Sequence, residues 1–275
     1  MNTKENNQPT TIKEGETETG RELLQYADAL FFEPELLNGH NLLNLGSGSS
    51  NLGDELSALG FKTQVANVDI TYDPYIAHHN KPFRSLLAQA IQKYSQRPQE
   101  KKRSIIRSLM GTSSREIVQA DMRRLPYKND SFDFVFALAS TYQMPTRDRI
   151  IAFDEMMRLG KFIHISPISE SDFNAIVELI NSGKHNFEIV ICYPPPSSML
   201  DESPVRFQST DDYTNYSSSV DLDKRVYIPT ATNYSVKSKF WFTGIKKLIT
   251  FKGAYTIILR RMDPSENKIK YFVEK

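Results

Sequence analysis

The chain has 275 residues, enough for one large domain, or one domain with insertions, around a sizeable core. Its 39% apolar and 24% charged content is that of an ordinary soluble protein, and a formal net charge of +1 argues against a dedicated nucleic-acid binder. No apolar run approaches the roughly 18 residues of a membrane span, the single Cys192 suits a reducing cytoplasm, and His78-His79 without CxxC or HExxH spacing gives no reason to expect a metal.

Residues 1–20 are polar, lack the apolar stretch of a secretory signal, and are expected to be disordered. Residues 21–275 then form the domain. Arg21 to Leu37 has amphipathic helical spacing and should cap the pocket. Leu42-Leu43-Asn44-Leu45 is a short apolar run that stops at Gly46-Ser47-Gly48, which reads as a buried parallel strand ending in a tight turn. Leu52 to Leu59 has helical spacing, so the turn opens a helix whose free amides would face a ligand. Thr63 to Ile70 is the second strand. It carries Asp69, 23 residues after Gly46, where a carboxylate can accept both ribose hydroxyls of an adenosine. That suits NAD, a flavin nucleotide or S-adenosylmethionine alike. Asn51 stands where the dinucleotide fingerprint needs Gly or Ala, which argues against a dinucleotide.

Between the second and third strands lies an insertion, about 74–112, read as helices over 83–94 and 100–110. Eight basic residues against one acid fall within 81–107, a solvated helix face or a lid that meets a phosphate-bearing partner. Ile117 to Asp121 is a third strand ending in an acid, and a fourth starts at Phe132. Arg147 to Leu159 reads as a helix, Lys161 to Ser166 as the fifth strand, Phe173 to Asn181 as a helix, and Phe187 to Tyr193 as a strand stopped by three prolines. Residues 197–235 are polar, a long loop or a small excursion. A second basic and aromatic stretch spans 237–252, and Ala254 to Arg261 is the last strand. His164 lies mid-strand and reads as a satisfied core histidine. His79 and Tyr142 sit over the carboxyl ends of strands, where open α/β sheets put their ligands, and are the candidates for a catalytic role.

The series LLNLGSGS, NVDI and QADMRRLPYKNDSFDFVFAL, in that order and spacing, resembles the class I S-adenosylmethionine-dependent methyltransferases over roughly residues 40–167. The resemblance implies a Rossmann-like α/β fold. Its sheet is doubly wound, mostly parallel and seven-stranded, with helices on both faces. It implies S-adenosylmethionine as cofactor and S-adenosylhomocysteine as product. Gly46, Ser47 and Gly48 would line the methionine part, Asp69 would hold the ribose, and Ile70 would flank the adenine. Asp121 would accept from the adenine amino group with Met122 against the ring, while Leu138 and Ala139 would face the sulfonium and the acceptor. Asn44 stands where an acid is frequent in the family, and Ser50 where a third glycine falls. The expected reaction is in-line methyl transfer, with Tyr26 or Phe32 as an aromatic face for the sulfonium. The expected acceptor is a small molecule. The alternatives are RNA or protein, held by stretches 81–107 and 237–252, or a non-catalytic interaction domain.

Overall fold

Short apolar runs broken by Gly, Asp or Pro become strands buried on both faces, because helices return along each side of the sheet. A computed structural model of the chain describes residues 23–48, 50, 52–70, 117–193, 205–221, 225, 235–236, 251–252, 255–266 and 271. The elements in chain order are α1 (Leu23–Leu30), a 3-10 turn (Pro34–Leu37), β1 (Asn41–Leu45), α2 (Leu52–Leu59), β2 (Gln64–Asp69), β3 (Ile117–Gln119) and β4 (Phe132–Leu138). They continue as a 3-10 turn (Thr141–Gln143), α3 (Thr146–Leu159), β5 (Gly160–Ile168), α4 (Glu170–Asn181), β6 (Phe187–Tyr193) and α5 (Thr210–Ser219). The last are β7 (Ser235–Val236), β8 (Phe251–Lys252) and β9 (Tyr255–Arg261).

Seven strands form one sheet in the order β3-β2-β1-β4-β5-β9-β6, and β7 pairs with β8 separately. β1 to β5 run parallel, while β9 lies antiparallel between β5 and β6. This is the α/β arrangement that the resemblance implies. Strand order reverses at β1: β2 and β3 extend to one side, β4 and β5 to the other. The crevice at the carboxyl ends of β1 and β4 is therefore the switch point, where such sheets bind ligands.

Alternate side chains of each strand enter opposite faces. Val135, Ala137, Ile163, Ile165, Ile257 and Leu259 meet Phe153 and Met156 of α3 and Phe173 and Ile176 of α4. Leu42, Phe134, Phe136 and Ile258 face the other way, onto Leu23, Tyr26 and Leu30 of α1, Leu52 and Leu56 of α2, and Tyr213 of α5. Among the described residues no helix is long and apolar enough to cross a membrane.

The structure departs from the sequence reading at three elements. The helix expected over 21–37 ends at Leu30, because Phe31 takes φ +57° and Glu33, before Pro34, is extended; the rest of that pattern is a 3-10 turn. The helix expected from Phe173 begins at Glu170, where Ser169 Oγ accepts the Asp172 N–H and Asp172 Oδ2 accepts the Ser169 N–H. The polar excursion holds α5, started by Asp212 Oδ2 accepting the Gln208 and Ser209 N–H groups. Residues 1–20, the 74–112 insertion with His79 and helices 83–94 and 100–110, and most of 237–252 lie outside the described residues.

Candidate functional site

The glycine turn follows the buried end of β1. Gly46 and Gly48 take φ +60° and +51°, a region that side chains rarely enter. Gly46 is required a second time by contact: a Cβ there would lie 2.1 Å from the Cβ of Ser140. The turn is braced from within. The Ser47 N–H donates to the Val68 carbonyl (3.1 Å), the Gly48 N–H to Asp69 Oδ2 (2.8 Å), the Ser50 N–H to the Ser47 carbonyl (3.0 Å) and the Leu52 N–H to Ser50 Oγ (3.2 Å). Of the helix amides expected to face a ligand, that of Leu52 is thus bonded to Ser50, and the turn amides at 47, 48 and 50 are bonded inside the protein as well. Ser50, in place of a third glycine, serves to start α2.

Asn44, two residues before Gly46, is fully buried and points into the interior. Its Oδ1 accepts the Tyr26 hydroxyl (3.0 Å) and its Nδ2 donates to Asn67 Oδ1 (3.0 Å). Tyr26 and Phe32 are themselves fully buried, so neither offers an accessible face to a sulfonium. Phe32 stacks at a tilt on Phe136 beneath α1.

On the β2–β3 side, the Asp69 carbonyl accepts the Ala120 N–H (3.0 Å), which places Asp69 beside the chain entering Asp121. Ile70, just past β2, is 60% exposed. The Asp121 carboxylate takes the Arg123 Nε at 2.9 and 3.0 Å, and Arg123 Nη1 reaches Asp148 at the start of α3 (2.9 Å). Hydrogen bonds from the Arg123 guanidinium hold the Asp121 carboxyl below the usual carboxylate range. Met122 is half-buried against the α3–α4 face. The loop is fastened to α3, where Glu155 Oε1 accepts the Leu125 N–H (2.7 Å) and Arg158 Nη1 donates to the Tyr127 carbonyl (2.8 Å).

On the β4 side, Leu138 is buried and Ala139 takes φ +51° with its N–H on the Ser166 carbonyl (2.6 Å). Ser140 follows, over Gly46. The chain then turns through Thr141–Gln143, leaving Tyr142 exposed, and Arg149 pins the loop by donating to the Met144 carbonyl (2.9 Å) and to Asp172 Oδ1 (2.6 Å). Two hydroxyls at this crevice, Ser47 Oγ and Ser140 Oγ, are buried with no hydrogen-bond partner among the described residues. Sequence reasoning missed Ser140 and Arg123. The position just after β4 was the available signal for Ser140; the contact with Gly46 has none, being 94 residues distant.

The sheet thus brings Gly46, Ser47, Gly48, Asp69, Ile70, Asp121, Leu138 and Ala139 to one edge. His164 is a core residue: Nδ1 meets the Leu30 carbonyl (2.7 Å) and Nε2 the Tyr213 hydroxyl (2.9 Å). Burial also raises the Cys192 thiol well above its ordinary value, which leaves it a packed thiol.

Residues 43–161 match the family model described as a methyltransferase domain. No curated protein sequence matches the chain significantly. Solved structures to which the chain is similar include a SAM-dependent methyltransferase from Methanosarcina mazei, at 14% identity, 82% of this chain, 94% of that chain and a TM-score of 0.35. A second is magnesium protoporphyrin IX methyltransferase from Synechocystis, solved with bound SAM, at 18% identity, 60% and 67% coverage and a TM-score of 0.36. A third is the YcgJ protein from Bacillus subtilis, at 13% identity, 83% and 94% coverage and a TM-score of 0.36.

Proposed function

We propose that this chain, whose residues 43–161 match the methyltransferase-domain model, binds S-adenosylmethionine along the carboxyl ends of β3, β2, β1 and β4 and methylates a small molecule. The observation that carries the reading is Asp69: a carboxylate at the end of β2, bonded to the glycine turn at 2.8 Å, beside the point where strand order reverses. The crevice fits the cofactor. It offers a carboxylate for ribose hydroxyls and an exposed Ile70 for a ring face.

When bound, the cofactor supplies a methyl group on a sulfonium that departs as a neutral thioether. The chain's task is placement, which contributes up to ~7–11 kcal/mol when the reacting atoms are held near attack distance. Asp69 holds the ribose. Asp121, kept ionised by Arg123, accepts from the adenine amino group, with Ile70 and Met122 on the ring. Gly46, Ser47 and Gly48 line the methionine part, and Leu138 and Ala139 flank the sulfonium. Tyr142 is the first candidate to meet the acceptor, supported by its exposure on the loop after β4, and His79 is the second. The near-neutral net charge of +1 supports a small acceptor over a nucleic acid.

Calorimetric titration with S-adenosylhomocysteine tests the site. The intact chain should bind in the micromolar range and Asp69→Ala should not. Asp69→Asn, which keeps an acceptor for the Gly48 N–H, should retain the unliganded melting midpoint while losing most of the affinity. No binding by the intact chain would reduce it to an interaction domain. Steep salt dependence of acceptor binding would shift the acceptor to RNA.

A further inference from the structure

β6 stands last in the sheet order, so one of its sides has no strand neighbour among the described residues. Its sequence, Phe187-Glu188-Ile189-Val190-Ile191-Cys192-Tyr193, is rich in β-branched and aromatic residues and has no Gly or Pro. Its one charge, Glu188, is tied by Arg260 Nε at 2.6 Å. An apolar edge of this kind is a template for another strand.

Side chains close that edge. The Ile189 N–H donates to the Tyr271 hydroxyl (2.7 Å), and the Ile189 carbonyl accepts Arg225 Nη1 (3.1 Å). Neither partner is local, the separations being 82 and 36 residues. Tyr271 and Arg225 are 7% and 5% exposed. Tyr271 is itself fastened to the end of α4, where Asn181 Oδ1 accepts its N–H (3.0 Å) and Asn181 Nδ2 donates to its carbonyl (2.7 Å). The Arg225 side chain has its one hydrogen bond among the described residues on Ile189, with Nε buried and unpartnered there, although burying such a nitrogen is unfavourable. The pairing of β6 with β9 also shifts register between Ile189 and Ile191, an irregularity that blunts an edge.

In an antiparallel pair, directly opposed residues of one kind exchange two N–H···O bonds. Two copies of β6 related by a two-fold axis at Ile189 would exchange them through the same N–H and carbonyl that Tyr271 and Arg225 hold. Such a contact is self-complementary. We infer that the outer edge of β6 is a pairing surface for β6 of a second copy of this chain, and that Tyr271 and Arg225 form a clasp that keeps it shut. A second copy is the occupant because the strand matches itself in length and apolar character and offers no free charge to select another partner. β4, β5 and β9 stand between this edge and the glycine turn after β1, so the clasp is tested without the cofactor.

The full chain is compared with Tyr271→Phe, Arg225→Met and the double variant by sedimentation and thermal melting over a wide range of protein concentration. The mass of the parent should not change over that range. The double variant should melt cooperatively, and its mass should rise about two-fold as concentration increases, each single variant following at higher concentration. Adding Ile189→Pro, which lacks the donor and is tolerated on the outer side of an edge strand, should return the double variant to the parent's mass. A parent that gains mass in the same way, a double variant that melts cooperatively without gaining mass, or a gain that survives Ile189→Pro would each overturn the inference. If the variants do not fold, amide exchange in the parent decides. The Ile189 amide should exchange slowly and at a rate independent of protein concentration, and rapid or concentration-dependent exchange would overturn the clasp.

Discussion

The two faces of the sheet are held by different chemistry. Under α3 and α4 the contact is almost wholly apolar, with Phe153, Met156, Phe173 and Ile176 on valines, isoleucines and leucines of the strands. Under α1, α2 and α5 the apolar contact is threaded with buried polar links. Tyr26 bonds Asn44 and through it Asn67; His164 joins the Leu30 carbonyl to Tyr213; Thr256 Oγ1 bonds the Ala29 carbonyl (2.8 Å) and Ser166 Oγ (2.9 Å); Glu55 Oε2 accepts the Leu23 N–H (2.7 Å). The difference follows chain connectivity. α3, β5 and α4 are consecutive, so short connections already limit how they meet. α1 and α5 come from opposite ends of the chain, and directional bonds fix where they sit.

The contrast can be broken from either side. Phe153→Ala, on the apolar face, should cost about 3–5 kcal/mol in urea denaturation, with little dependence on pH. The other face should respond to acid. Burial lowers the folded pKa of His164 to about 3, against about 6.5 in the unfolded chain. The unfolded state therefore takes up a proton that the folded state refuses. The stability is fully present above about pH 6.5 and falls by about 1.4 kcal/mol per pH unit toward pH 3. Between about pH 6.5 and pH 5 the parent should lose about 2 kcal/mol more than His164→Gln does. Equal losses would mean that the imidazole is not held neutral in the core. The smallest effect is expected for Tyr213→Phe. The Leu30 carbonyl can only accept, so the imidazole proton sits on Nδ1, and Nε2 accepts from the tyrosine hydroxyl. Losing that one bond should cost about 1 kcal/mol in the same denaturation measurement.

Local signals made most of the sheet legible in the sequence. The bounds of β6 and of α2 are legible to the residue, because each has a clear period and clear stops. Asp69 and the glycines were legible because a turn and an acid at a strand end are local features. What stayed hidden depends on contacts between distant residues. Nothing near Gly46 says that Ser140 lies on it. The bracing of the turn is hidden too, because its partners, the Val68 carbonyl and the Asp69 carboxylate, lie in another strand. α5 is not legible as a helix because Tyr213 is its single fully buried anchor in a run of Ser, Thr and Asp. The early end of α1 follows from Phe31 and Phe32 turning to meet Phe207, whose N–H donates to the Phe31 carbonyl (3.1 Å).

The place of β9 bears on how the molecule is made. Among the described residues β6 joins the sheet only through β9, and β9 begins 62 residues after β6 ends. During vectorial synthesis, β5 shows an unpaired edge and β6 has no berth until residues 255–261 emerge. The half of the sheet formed by β1 to β4 is complete well before that. A translational pause or truncation within 194–254 would therefore release a chain with its glycine turn assembled and two apolar strand edges open, the kind of species that chaperones retain and that aggregates when they do not.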